Sequence, residues 1–224
     1  MNKLRLRFTK TSPAVYISHL DLMRMFQRVF LRAGIKVWHT EGFNPHAYIA
    51  IALPLPIFHE SCCEILDFAM PDDWNADELS SMASRLNAAM PHGIIVHEVY
   101  VPERPIKQLK YVKNEIIYTF DNGAGASLPI LMSRLFEKSE IVIQKKSKKG
   151  GMKDMDIRPL IKSIDFSLQD ENRIICSAVL EAMDTYLNPV YVTTAVENEI
   201  KGFAPDQVDY KRLEVYDADM NVFR

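Results

Sequence analysis

The sequence predicts an α+β protein built from two tandem β-α-β-β-α-β units with antiparallel sheets. Three observations support this prediction. Segments of alternating polar and apolar residues are interspersed with helical stripes, and the same order of elements occurs in both halves. The length of 224 residues suits two small domains, and 48% hydrophobic residues suffice for folded cores. The charge also repeats, because a basic segment precedes an acidic one in each half.

The first half begins with a strand in which Leu4, Leu6 and Phe8 alternate with basic residues, the pattern of a half-buried strand. Ser18 followed by Asp21 has the spacing of a helix cap, and Gly34 supplies the left-handed stop of that helix. Strands over 48–53 and 65–70, a helix over 79–90 and a strand over 94–101 complete the unit. Residues 102–105 form a linker, which places a first domain at 1–103.

The second half repeats the order over 106–224. We expect a strand over 109–120, a helix over 127–138 and a strand over 140–144, followed by a basic loop over 145–153. Strands over 164–168 and 174–180, a helix over 188–200 and a last strand over 213–216 follow. One such unit is the ferredoxin-like, split β-α-β plan, so the sequence predicts two tandem ferredoxin-like units.

The net charge of −2 argues against a protein that coats nucleic acid, but this average conceals an uneven distribution. Residues 1–45 carry eight basic and two acidic side chains, and residues 105–162 carry twelve and six. The other two segments are acidic. The charge distribution by segment is therefore compatible with nucleic-acid binding, although the net charge is not basic.

Cysteine usage and hydropathy predict a cytoplasmic protein with no membrane partner. Cys62, Cys63 and Cys176 have no disulfide-framework spacing. No stretch approaches the roughly 18 apolar residues of a membrane span.

Three arginines recur every four residues along the first helix, at Arg24, Arg28 and Arg32, and no acidic residue lies among them. This spacing puts their guanidinium groups on one helical face, where they could hold phosphates or an acidic partner. The alternative is a solvated surface. The basic segment at Lys145, Lys146, Lys148, Lys149 and Lys153 would attract phosphate in the same way, or would simply be a solvated loop.

His19 and His46, with Asp21, are weak candidates for acid–base catalysis, and caps or loop hydrogen bonds are the alternative. We predict no metal site. Phe43 and Asn44 lie in a turn where an aromatic ring could stack on an unpaired base, or could pack beneath the turn. We add Tyr16, Ser18 and Glu41 to the predicted binding surface.

Several motifs carry a resemblance to one family: Tyr16-Ile17-Ser18-His19-Leu20-Asp21-Leu22-Met23-Arg24, Arg32-Ala33-Gly34, Glu41-Gly42-Phe43-Asn44-Pro45-His46 and Leu53-Pro54-Leu55-Pro56, with Asp156-Ile157-Arg158-Pro159 farther on. Together they closely resemble the bacterial radical SAM-linked protein family. That family is a domain of unknown function found beside, or fused behind, a radical S-adenosylmethionine (SAM) enzyme.

The resemblance implies a companion protein without a cofactor, because the radical enzyme's three-cysteine motif is absent here. Genes near this family often concern RNA handling, which implies an RNA-related role. The prediction is therefore a non-catalytic accessory protein of a radical SAM enzyme that binds RNA or presents an RNA-related substrate. The alternatives are an RNA-processing or RNA-modifying enzyme that uses His19, Asp21 and His46, and a pure protein–protein adaptor.

Overall fold

The computed structural model describes residues 2–146 and 150–224, and it divides into two compact units. The first unit comprises Met1–Gln108 and Phe223–Arg224, and the second comprises Leu109–Val222. Both units combine α-helices with an antiparallel sheet. The predicted α+β class is therefore confirmed.

The first unit has the element order that the sequence predicts. Its elements are β1 (Asn2–Lys10), α1 (His19–Arg32), β2 (Ile49–Ala52), β3 (Glu60–Met70), α2 (Ala76–Asn87) and β4 (Ile94–Tyr100). The strands lie in the order β4-β1-β3-β2, and each neighbouring pair is antiparallel. The third strand begins five residues before its predicted start at Ile65, because the alternating pattern continues upstream through two cysteines.

The core of the first unit lies between one face of this sheet and the two helices. Leu4, Leu6 and Phe8 point from β1 into this core and are fully buried. Phe8 meets Phe26 of α1 edge to face, with ring centroids 4.9 Å apart. Burial of each such ring contributes about 1.5–3 kcal/mol to stability, so this contact fixes α1 against the sheet.

The opposite face of β1 is covered only in part: Arg5 is buried, Arg7 and Thr9 are half-buried, and Lys3 is exposed. Arg5 and Lys10 are each only 1% exposed. The Arg5 guanidinium donates to both carboxylate oxygens of Asp67, at 2.6 and 3.0 Å, and lies 5.1 Å from the Phe223 ring centroid. Arg5 is therefore paired inside the unit, because a buried charge requires a partner.

The second unit contains β5 (Tyr111–Thr119), α3 (Leu128–Phe136), β6 (Val142–Lys146), β7 (Met152–Asp156), β8 (Ile161–Asp170), β9 (Arg173–Glu181), α4 (Val190–Glu199) and β10 (Gln207–Tyr216). Within this unit the antiparallel strands lie in the order β10-β5-β9-β8. The strands β6 and β7 form a separate two-stranded hairpin.

This hairpin differs from the predicted basic loop. Lys145 pairs with Lys153 across its two strands, so the basic residues are partly strand residues. A run of lysines shows no alternation of polar and apolar residues, so its sequence does not indicate a strand. The backbone can still pair, because the long side chains keep their charges in water. In the described part of the chain, no helix is long and apolar enough to cross a membrane.

Candidate functional site

The candidate site is built around the start of α1. Ser18 caps this helix, because its hydroxyl oxygen accepts a hydrogen bond of 3.2 Å from the backbone amide of Asp21. The same hydroxyl donates to the Asp21 carboxylate at 2.7 Å. The bond from the Ser18 hydroxyl to the carboxylate holds the pKa of Asp21 below its usual range, with a smaller contribution in the same direction from Arg24. The cap thus orients the first turn and keeps its carboxylate charged.

Three arginines on the exposed side of α1 form what we call the arginine surface: Arg24, Arg28 and Arg32. Together with Asp21, Met25 and Pro91, they line one cavity of about 340 Å³. A helical spacing of four residues aligns their side chains, as the buried residues Phe26 and Phe30 occupy the other side of the helix. The arrangement suits an anion that needs several donors at once.

The three guanidinium groups are not equally available to a ligand. The expectation that no acidic residue neutralises this surface is corrected by an ion pair at Arg24. Arg24 forms an ion pair of 3.1 Å with Asp21, one turn earlier. Arg32 donates to the Ala89 carbonyl oxygen at 2.9 Å. For Arg28 the described residues provide no hydrogen bond or ion pair. Arg28 is therefore the arginine with its full donor capacity open to solvent.

A second feature is the loop over residues 38–48, which folds back on itself. His39 and Ala47 form an isolated antiparallel β-bridge, and the Thr40 amide donates to the His46 carbonyl oxygen at 2.9 Å. Phe43 lies fully exposed at its tip, so the alternative in which this ring packs beneath the turn is wrong. Glu41 and Asn44 are also exposed, which leaves the whole tip accessible.

The base of this loop and the end of α1 border a larger cavity of about 770 Å³. Its walls are mostly apolar, with His39 and His46 among the lining residues. The His39 Nδ1 atom donates to the Val37 carbonyl oxygen at 3.0 Å. The His46 Nδ1 atom lies 3.0 Å from Thr40 Oγ1, so loop contacts occupy one nitrogen of each ring.

Two of the three candidates for acid–base catalysis line different cavities. Asp21 borders the cavity of the arginine surface, whereas His46 borders the larger one. His19 is the first residue of α1 and is half-buried, and its Nδ1 atom has no hydrogen-bond partner among the described residues. The described side chains also contain no group of three or more His, Cys, Asp or Glu that could hold a metal ion.

The predicted basic segment lies in the second unit. Lys145 is half-buried, with its Nζ atom 5.6 Å from the centroid of the Tyr191 ring, and Lys153 is exposed. Lys146 is the last residue of β6. Lys148 and Lys149 lie outside the described residues. The hairpin therefore presents one exposed lysine, Lys153, among its described side chains.

Two features near α1 escaped the sequence analysis. The first is the pair of Tyr16, which is exposed, with Phe58, a residue that no sequence motif singles out; their ring centroids lie 5.7 Å apart. The second feature is the buried ammonium of Lys10, which donates to the Ile17 carbonyl oxygen at 2.9 Å. No local pattern marks a long-range pair such as Tyr16 and Phe58.

The comparisons with known proteins bear on the family. Residues 3–189 match the family described as "Uncharacterized protein conserved in bacteria (DUF2344)". No curated protein matches the chain.

Among solved structures, a chain of the "Crystal Structure of a Cbf5-Nop10-Gar1 Complex" is similar at 7% identity and a TM-score of 0.49. The likeness covers 95% of this chain and 48% of that chain, so the present chain spans about half its length. The "Crystal Structure of an Unknown Protein from Galdieria sulphuraria" matches at 10% identity and a TM-score of 0.27, over 94% of this chain and 98% of that one. With TM-scores below 0.5, these likenesses define neither fold nor function.

Proposed function

Because this chain belongs to the bacterial family of uncharacterized proteins that matches residues 3–189, we propose its function from its own surface: it is a non-catalytic accessory protein of a radical SAM enzyme and binds RNA. The observation that carries the RNA proposal is the arginine surface. Three guanidinium groups border one cavity, and Arg28 has no partner among the described residues. Guanidinium groups bind phosphate oxygens through paired donors, so a phosphate backbone is a suitable ligand.

The proposed radical SAM partner is supported by the sequence motifs alone. The long motif over residues 16–24 resembles the radical SAM-linked family, and it folds as the start of α1, next to the arginine surface. In this proposal, the arginine surface of the accessory protein holds the RNA while the radical SAM enzyme modifies that RNA. Cys62, Cys63 and Cys176 form no disulfide among the described residues, which supports a reducing, cytoplasmic location.

The strand orders also support the proposal that each unit is ferredoxin-like. In the first unit, the strands of a β-α-β-β-α-β chain lie in the order fourth, first, third, second. In the second unit the same order appears when the β6–β7 hairpin is treated as an insertion. Such sheets serve many functions, so this plan alone assigns none.

Two alternatives remain as outcomes of experiment. An RNA-modifying enzyme would need His19, Asp21 and His46 to act together, and the separation of Asp21 and His46 into different cavities weighs against it. A pure adaptor would use the same arginines on an acidic face of the radical enzyme. Charge complementarity alone does not distinguish a phosphate backbone from a carboxylate-rich protein.

The test is binding of short single-stranded RNA across a salt series. We expect affinity at low salt that falls as salt rises, with a slope that Arg28→Ala flattens by about 0.7. Lys201→Ala is the matched control, because it removes one exposed positive charge from another element. Absence of binding at low salt would refute the RNA proposal. Co-purification with the radical enzyme that Arg28→Glu abolishes, without any RNA binding, would instead establish the adaptor.

A further inference from the structure

Two aromatic rings form an exposed corner beside the start of α1. Tyr16 and Phe58 meet edge to face, with an angle of 82° between the ring planes. Tyr16 is 67% exposed and Phe58 is 68% exposed. The described residues thus leave most of both rings in water, where large aromatic side chains contribute little to folding. We call this pair the aromatic corner.

The backbone holds the aromatic corner in place at a cost. Phe58 has a φ angle of +69°, a conformation that bulky residues rarely adopt. Its amide donates to the carbonyl oxygen of buried Val15 at 3.0 Å, which links the two segments that carry the rings. Strain that presents a ring to solvent, without burying it, is typical of a binding site rather than of a core.

The charges near the aromatic corner favour an anionic ligand. Tyr16 lies two residues before the Ser18 cap of α1, the helix of the arginine surface. The acidic residues nearest in sequence are already engaged: Asp21 with Ser18 and Arg24, and Glu60 with the Ser12 amide at 3.1 Å. RNA is the anionic polymer that also carries flat apolar rings, and unpaired bases stack on exposed aromatic side chains.

We propose that the aromatic corner stacks an unpaired base of single-stranded RNA whose phosphates lie on the arginine surface. This inference rests on the proposed RNA-binding function and specifies its substrate class as single-stranded, with little sequence preference. Stacking requires a base, whereas the arginine surface requires only phosphates. The two contributions can therefore be separated by removing bases from the polymer.

The experiment compares a short oligouridylate with an abasic ribose-phosphate oligomer of equal length, using the full chain. We expect Tyr16→Ala and Phe58→Ala to weaken oligouridylate binding roughly 5- to 100-fold and to leave abasic binding unchanged. Phe58→Trp should preserve binding. Ile130→Ala, which removes an exposed apolar side chain from α3, is the matched control. Thermal unfolding of each variant checks that it is folded.

The outcomes separate this inference from the function on which it rests. Oligouridylate binding that depends on Arg28 but not on Tyr16 or Phe58 would overturn the aromatic corner and leave RNA binding intact. Equal wild-type affinity for the abasic and the complete polymer would also overturn it. Failure to bind either polymer would refute RNA binding itself. Loss of radical-enzyme binding in Phe58→Ala, with RNA binding unchanged, would assign the corner to a protein partner.

Discussion

The ammonium group of Lys10 lies inside the first unit and donates a hydrogen bond of 2.9 Å to the carbonyl oxygen of Ile17. Lys10 ends β1, and Ile17 precedes the Ser18 cap, so this bond connects the sheet to the start of α1. Burial lowers the pKa of Lys10, and the charge of Glu64 opposes that shift. The turn that carries Tyr16 is therefore anchored by a buried charge.

Replacing Lys10 with Met should lower the free energy of unfolding by about 3 kcal/mol, because it removes one member of a buried charged pair. Urea denaturation measures this change. Lys3→Met on the same strand is the control, since Lys3 is exposed and its loss should change stability by less than about 0.5 kcal/mol. Equal destabilisation in the two variants would contradict the anchoring role.

Ser18→Ala should remove the cap of α1 and cost about 1 kcal/mol. It should also raise the pKa of Asp21, because the Ser18 hydroxyl is the largest cause of its lowered value. NMR titration of the Asp21 carboxyl group measures the shift. Ser84→Ala provides the control, since that hydroxyl donates within α2 to the Ser81 carbonyl oxygen and caps no helix. An unchanged Asp21 titration would contradict the predicted contact.

Gly93→Ala should destabilise the first unit by more than about 2 kcal/mol. A Cβ atom there would lie 2.6 Å from the Thr11 carbonyl oxygen and 2.9 Å from the Ala14 amide nitrogen, at a φ angle of +89°. Gly125→Ala is the matched control, because its φ angle is +73° but no atom lies within 4 Å. The difference in unfolding free energy between the variants isolates the close approach, and equal losses would show that backbone strain alone matters.

Local chemistry made much of the fold predictable. The Ser18 cap and the left-handed Gly34, with a φ angle of +67°, set the limits of α1 within a residue or two. In β5 every second residue is buried, so its alternation was visible in the sequence. These signals are short-range, and a single sequence displays them directly.

Features that depend on distant contacts were not predictable. Arg5 appeared to be on a solvent face, yet it is buried against Asp67 and Phe223, far along the chain. The arginines of α1 lacked an acid between them, and the pairing of Arg24 with Asp21 arises from the preceding helical turn. Phe58 joins Tyr16 only because Val15 binds its backbone. Alternation of polar and apolar residues along a strand indicates on which face of the sheet a side chain lies. It does not indicate which distant residues pack against that face.

The stability of the second unit should fall as the pH rises above about 9. Burial raises the pKa of the Cys176 thiol, so the unfolded chain loses this proton at lower pH than the folded chain. The stabilisation from the Cys176 thiol is complete at pH values below the pKa of this thiol in the unfolded chain. Above that pKa, the free energy of unfolding falls by about 1.4 kcal/mol for each further pH unit. Cys176→Ala should flatten this decline in denaturation measured between about pH 8 and 10.

The lowered pKa of Lys10 acts in the opposite direction, because the unfolded chain then binds the extra proton. Lys10 is present in both proteins, so its contribution cancels when the two slopes are compared. Parallel slopes for the wild type and Cys176→Ala would contradict the prediction.

Asp21→Asn distinguishes binding from catalysis at the arginine surface. The substitution removes the negative charge that lies 3.1 Å from the Arg24 guanidinium, so Arg24 becomes available to a phosphate. We expect RNA affinity at low salt to rise about two- to fivefold. Asp219→Asn is the control, because it changes the net charge equally at an exposed position that is not among the predicted binding residues. If Asp21 instead acts in catalysis, mass spectrometry should detect an RNA modification that this variant abolishes. Weaker binding without any such reaction would contradict both roles.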